Sequence, residues 1–234
     1  MSGKVSVSAV LPAFNEASNL ERAVDGMGRA LASCAAESEI IVVDDGSRDG
    51  TAALLQRLAR ESSSLVVVRH PKNAGYGAAL RSGFARARFP WVFFMDADNQ
   101  FDPMELCLLI EHSGEADLVI GYRAVRRDPL IRRLNALAFF TLARLLFGYL
   151  ARDVNCAFKL MRRDLLQQLG LQSAGALINT ELLTLARRRG ARIIQVPVHH
   201  FPRTAGTQTG AHPAVVLRAF RELVRLRRTL GSRT

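Results

Sequence analysis

The chain has 234 residues, 49% of them hydrophobic and 23% charged, an ordinary globular composition that excludes wholesale disorder and fibrous repeats and allows a large core without disulfides. The formal net charge of +11 is segregated: residues 1–122 carry a net −5 and residues 123–234 a net +16, which points to two surfaces with different partners. Three scattered cysteines, Cys34, Cys107 and Cys156, exclude a zinc ribbon and, with no leader pattern at the start, point to a reducing cytoplasm.

In chain order, the first half alternates short apolar runs with helical spacing. Strands are expected at Val5–Leu11, Glu39–Val43, Leu65–Val68, Trp91–Met95 and Asp117–Ile120. Helices are expected at Asn19–Ala36, at Ala52–Arg60, from the glycine-rich turn Asn73–Gly77 to about Arg88, and after Pro103, whose fixed φ suits a first helical turn. The second half predicts a helix at Leu130–Leu150, a strand at Asn155–Met161, a helix at Asn179–Arg189, a strand at Ile193–Val198 and a last helix at Pro213–Leu230. Arg132, Arg133 and Arg144 interrupt the longest apolar stretch, so no membrane span is predicted. Alternating strands and helices predict a single α/β domain with a mostly parallel sheet, whose ligands bind at the carboxyl ends of the strands.

The unusual residues cluster at those ends. In MDADNQFDP (Met95–Pro103) an apolar strand delivers Asp96 and Asp98 one residue apart. Two carboxylates so close raise one another's pKa, and a divalent cation such as Mg²⁺ or Mn²⁺ relieves the conflict while leaving room for phosphate oxygens and water. DDGSRDGT places Asp44 and Asp45 on the same edge, where they suit base N–H or ribose hydroxyl groups better than phosphate. LPAFNE (Leu11–Glu16) adds a further acceptor pair, Asn15 and Glu16. Turn chemistry explains any one of these motifs, but not three in register. The pattern Gly75-x-Gly77-x-x-Leu80 lacks the third glycine of a dinucleotide fingerprint, which argues against a dehydrogenase.

These motifs, with NAGYGAALRSGF, GYR, DVNCAFKLMRRD and PVHHFPRTAGTQTG, resemble the inverting family 2 glycosyltransferases of the GT-A nucleotide-diphospho-sugar transferase fold, in particular the dolichol-phosphate mannosyltransferase-like, polyprenyl-phosphate glycosyltransferase subgroup. The resemblance runs over nearly the whole chain. It implies a nucleoside contact at Pro12, Ala13, Asn15 and Glu16, and acids near base and ribose at Asp44 and Asp45. It implies metal ligands Asp96, Asp98 and Gln100, and phosphate-facing arginines Arg123, Arg132 or Arg133, and Arg203. The loop after Gly206 departs from the subgroup, with Thr207-Gln208 where a basic residue is usual. The implied donor is GDP-mannose or a UDP-sugar and the implied acceptor a polyprenyl phosphate.

A lipid phosphate is ionised near neutral pH and needs no general base, whereas a hydroxyl acceptor does. Glu181, in NTELL, is the candidate base for a hydroxyl acceptor, with a helix N-terminal acid as the bland alternative. His199 and His200 end a strand beside Arg203, where packing and acceptor contact are the expected role and a metal contact by one of them is the alternative. Residues 1–210 form the expected catalytic domain, with a donor half at 1–122 and an acceptor half at 123–210. Residues 211–234 form a basic amphipathic helix in which Arg218, Arg221, Arg225 and Arg228 make one stripe, suited to anionic lipid heads. The expected location is the cytoplasmic membrane surface. A nucleic-acid-binding module would account for the basic half, but not for the clustered acids, which repel phosphates.

Overall fold

The computed structural model describes residues 4–124, 141–202 and 213–231, the last with side chains from Phe220 to Leu230. A seven-stranded sheet has the order β3-β2-β1-β4-β6-β5-β7. Its strands are β1 (Val5–Ala13), β2 (Ala35–Asp44), β3 (Leu65–Arg69), β4 (Trp91–Met95), β5 (Leu118–Arg123), β6 (Phe158–Arg162) and β7 (Ile193–Val198). All pairs are parallel except those of β6, which runs antiparallel to both β4 and β5. The carboxyl ends of β1, β2, β4 and β5 therefore share one edge.

The helices are α1 (Leu20–Cys34), α2 (Thr51–Glu61), α3 (Tyr76–Arg86), α4 (Leu106–Glu111), α5 (Arg163–Leu169), α6 (Ile178–Arg188) and α7 (Pro213–Gly231). Residues 141–147 are also helical. β1 and β4 are central, and their near-continuous apolar runs are buried on both faces, as a parallel sheet covered by helices requires. Local signals agree with the tertiary structure. Asp49 accepts from Thr51 N–H at 2.9 Å to open α2, and Asp102 accepts from Met104 N–H at 2.9 Å to open the turn Pro103–Glu105 before α4.

The expected fold class holds. All seven expected strands form, with β6 starting at Phe158 rather than Asn155. The Asn73–Gly77 turn runs into α3, which starts at Tyr76, within the expected turn, and ends at Arg86. One helix was not expected: α5, seven residues long and ended by Gly170 in the left-handed conformation (φ 57°). The main core fills the space between sheet and helices. A second, smaller cluster joins Ala143, Leu177, Leu223, Leu226 and Leu230. Leu223, Leu226 and Leu230 of α7 thus pack on the chain's own surface, while Arg221, Arg225 and Arg228 face solvent. Arg218 lies outside the described side chains. Among the described residues, no helix is long and apolar enough to cross a membrane.

Candidate functional site

The acids at the carboxyl edge are held by different means. β4 ends at Met95, and the loop that follows turns back on itself because Asn99 takes a left-handed conformation (φ 57°), which asparagine tolerates, and donates from Nδ2 to Asn19 O at 2.9 Å. Asp98 Oδ1 accepts from Gln100 N–H at 3.2 Å. Asp96 is set deeper. Its Oδ1 is buried without a hydrogen-bond partner, as is the nearby Tyr76 hydroxyl. Burial first, and then the charge of Asp98, push the Asp96 carboxyl up to about 7. Tyr76 is likewise pushed well above its ordinary range by burial and then by Asp96.

This donor set fits a divalent cation of the Mg²⁺ or Mn²⁺ type. An unpaired buried carboxylate oxygen with a raised pKa gains most from a cation, and such ions take few protein carboxylates and complete their shell with phosphate and water. Among the described residues, no three His, Cys, Asp or Glu side chains converge as an all-protein cage. Gln100 is joined to the strand-end segment after β7: its Nε2 donates to Phe201 O at 3.0 Å, and Phe201 N–H donates to Gln100 O at 2.8 Å. The segment leading to Arg203 therefore meets the acid loop.

At the end of β1, Pro12 and Ala13 are buried in the strand, while Asn15 is exposed and left-handed (φ 56°), as asparagine tolerates. Its backbone N–H donates to Ser47 Oγ at 2.9 Å, and its Oδ1 accepts from Arg48 N–H at 2.8 Å. Glu16 N–H donates to Thr51 Oγ1 at 3.0 Å, and its carboxylate accepts from Asn19 Nδ2 at 2.6 Å. The first and second motifs are thus sewn together.

Asp44 and Asp45 correct the expectation of open acceptors. They are only 0% and 3% exposed. Asp45 accepts from His70 Nδ1 at 2.6 Å, Ala74 N–H at 2.9 Å and Gly75 N–H at 2.8 Å, so it holds the glycine-rich turn. Asp44 Oδ1 accepts from Ser47 N–H at 2.8 Å, while Oδ2 has no hydrogen-bond donor and lies 3.3 Å from Arg69 Nε, an ion-pair contact without hydrogen-bond alignment.

Arg123 and Glu181 also differ from expectation. Arg123, at the end of β5, forks onto Asp153, with Nε–Oδ2 at 2.6 Å and Nη2–Oδ1 at 2.9 Å. The buried carboxylate already meets part of its charge, so Arg123 is not the open phosphate-facing cation expected. Glu181 is 1% exposed in the first turn of α6. Its carboxylate accepts from Gln172 N–H at 3.0 and 3.1 Å and from Ser173 N–H at 2.7 Å. It does not face an acceptor as the base of the hydroxyl-acceptor alternative would, and it is the first-turn helix acid of the other reading. It holds residues 172–175, whose Ala174 O accepts from Gly77 N–H at 2.7 Å and Ala78 N–H at 3.2 Å at the start of α3. A Cβ on Gly77 would stand 2.4 Å from Ser173 O, so only glycine permits this contact.

Lys159 was not singled out by sequence. It lies in β6, fully buried, with its Nζ donating to Asn179 Oδ1 at 2.8 Å, to Val154 O at 3.2 Å and to Cys156 O. Burial pulls its pKa down to about 8. Its signal was a lone lysine inside the apolar run FKLM. His199 is exposed and is held by Glu105 through Nδ1 at 2.7 Å, an ionic contact rather than packing, whereas His200 packs edge-on against Phe101 at 5.1 Å. Arg132, Arg133 and Arg203 lie outside the described residues, as does the loop at Thr207-Gln208.

Comparison with known proteins gives concordant matches. The profile of the Glycosyl transferase family 2 matches residues 8–170. A polyprenol monophosphomannose synthase of Mycolicibacterium smegmatis is 33% identical over 84% of the chain and 78% of that protein. A dolichyl-phosphate beta-glucosyltransferase of Trichomonas vaginalis is 31% identical over 83% of the chain and 65% of that protein. In fold, the chain is similar to glucosyl-3-phosphoglycerate synthase from Mycobacterium tuberculosis, solved with Mn²⁺, uridine diphosphate and glucosyl-3-phosphoglycerate, at a TM-score of 0.74 and 24% identity, over 95% of this chain and 80% of the other.

Proposed function

The chain belongs to glycosyl transferase family 2 and is a glycosyltransferase of GT-A fold, and on that premise we propose that it moves a hexose from a nucleoside diphosphate sugar onto a polyprenyl phosphate, with inversion at the anomeric carbon. The donor is GDP-mannose or a UDP-sugar such as UDP-glucose, in keeping with relatives named for mannosyl and glucosyl transfer. The observation that carries the reading is the acid pair at the end of β4, with the buried, unpaired Asp96 Oδ1 beside Asp98.

In this reading Asp96, Asp98 and Gln100 hold Mg²⁺ or Mn²⁺. When bound, the cation supplies positive charge against the diphosphate that leaves. Pro12, Ala13, Asn15 and Glu16 line the nucleoside, and Asp44 and Asp45 shape the loops around it. Arg203, with Arg132 or Arg133, contributes planar forks for the phosphates, and Arg123 sets the end of β5 through Asp153. The lipid phosphate attacks as an oxyanion and passes no proton to the protein, which agrees with a Glu181 carboxylate already engaged by Gln172 and Ser173. Such an acceptor sits in a lipid bilayer, so the enzyme works at a membrane surface.

The test is transfer of labelled hexose from GDP-mannose and UDP-glucose to a short polyprenyl phosphate, with Mn²⁺ or with EDTA. Organic-extractable product, lost in EDTA, is expected. Label carried only to hydroxyl acceptors, 3-phosphoglycerate among them, would overturn the lipid reading.

A further inference from the structure

Between residues 141–150, α6 and α7 lies a cavity of about 380 Å³. One wall is apolar, made by Leu146, Phe147 and Leu150, and the other is cationic, made by Arg187, Arg188 and Arg227. Two of the guanidinium groups are tied in place. Arg187 Nε donates to Leu150 O at 3.1 Å, and Arg188 Nη1 donates to Leu230 O at 2.6 Å, each leaving further N–H donors. Among the described residues, none of the three arginines has an acidic ion-pair partner, and no acid lines the cavity. Three like charges therefore stand around one space beside a greasy wall.

The surroundings are amphipathic in the same sense. Tyr149 is 45% exposed and lies between two cations, with Arg187 Cζ 5.7 Å and Arg144 Cζ 5.8 Å from its ring centre. Leu145, next to the lining residue Leu146, is 78% exposed. The cavity is also separate from the acid edge. Asn179, which reaches Lys159, and Arg187 are eight residues apart on α6, about 12 Å along the helix.

We propose that this cavity binds the headgroup phosphate of an anionic membrane phospholipid, with the arginines on the phosphate and the first methylenes on the Leu146–Phe147–Leu150 wall. A polyanion such as RNA would satisfy the arginines but leave the apolar wall and Leu145 in water. A neutral apolar ligand would leave the three charges uncompensated. The site anchors the chain to a surface, and it stands whether or not a polyprenyl phosphate is the acceptor.

The test is co-sedimentation of the full chain with phosphatidylcholine vesicles and with vesicles in which a third of the lipid is phosphatidylglycerol. Binding to the anionic vesicles alone is expected. Arg188→Gln with Arg227→Gln should weaken it about thirtyfold, roughly fivefold for each arginine near an anionic surface. Arg221→Gln with Arg225→Gln removes the same charge from α7 outside the cavity and should weaken it clearly less than the cavity pair does. Arg227→Gln alone, with an unchanged melting profile, should still cost about fivefold. Soluble short-chain phosphatidylglycerol should compete with vesicles better than inorganic phosphate does. Equal losses in the two double variants, no preference for anionic vesicles, or displacement by an RNA oligomer but not by the short-chain lipid would overturn the site. Transfer to a soluble short polyprenyl phosphate should be unchanged in the cavity variants, so failure of the anchor and failure of the catalytic reading are separately visible.

Discussion

Replacing Glu181 by glutamine separates two accounts of this enzyme. The carboxylate accepts hydrogen bonds from Gln172 N–H and Ser173 N–H, with the shortest at 2.7 Å, and the loop so held caps the start of α3 through Ala174 O. A glutamine turns an NH₂ group toward one of these N–H donors and removes the charge from the rest. A hydrogen bond to a charged group is worth roughly 1.5–3 kcal/mol, and in a chain of this size each kcal/mol moves Tm by about 2–4 °C. Glu181→Gln should therefore lower Tm by about 3–12 °C. Circular dichroism gives the melt, and hexose transfer to a polyprenyl phosphate, assayed well below it, gives turnover per folded molecule. That turnover should fall no more than about threefold, because nothing in the chemistry needs a proton removed, whereas a lost general base costs about 10²–10⁴-fold. A fall of that size at unchanged Tm would refute the structural role and restore Glu181 as a base.

Other expectations follow from the same geometry. Gly77→Ala puts a methyl group 2.4 Å from Ser173 O and 2.8 Å from Gly175 O, so the 172–175 loop must move. Overpacking of this kind costs about 1–3 kcal/mol, and a thermal melt should show the loss, with an unchanged Tm contradicting the contact. The Asp96 carboxyl, raised from 3.8 to about 7, keeps a proton in the folded chain that the unfolded chain has lost. This group therefore lowers stability as pH rises from about 4 to about 7, and a bound cation must displace its proton. Mn²⁺ affinity, followed by calorimetry, should rise about tenfold per pH unit up to about 7 and then level off; a flat profile across that range would contradict the assignment.

The strands were legible because parallel strands buried on both faces read as near-continuous apolar runs, interrupted in Val5–Leu11 only by Ser6 and Ser8 and in Trp91–Met95 not at all. The acid pair was legible because Asp96 and Asp98 directly follow one of them. The reversed direction of β6 was not, since an apolar run carries no sense of direction. α5 escaped notice because seven residues give too few turns for a helical period. Glu181 shows a deeper limit. An acid in the first turn of a helix looks the same whether it faces a substrate or accepts from a neighbouring loop, and only the fold of residues 172–175 decides. Asp45 is the same case, turned inward by His70 and the glycine-rich turn. In α7 the basic face was legible, but periodicity does not say what covers the other face, and Leu223, Leu226 and Leu230 pack with Leu177 and Ala143 while Val224 stays exposed.

We propose that Asp96 and Asp98 hold the cation that binds the donor diphosphate. Calorimetric titration of GDP and UDP into the wild-type chain and into Asp98→Asn, each with and without Mn²⁺, tests it most directly. Mn²⁺ should tighten binding of the preferred nucleotide at least about tenfold in the wild type, the scale of a lost metal ligand's effect, and leave Asp98→Asn, folded with a native melt, unchanged. A folded Asp98→Asn that keeps the full Mn²⁺ enhancement would contradict the account.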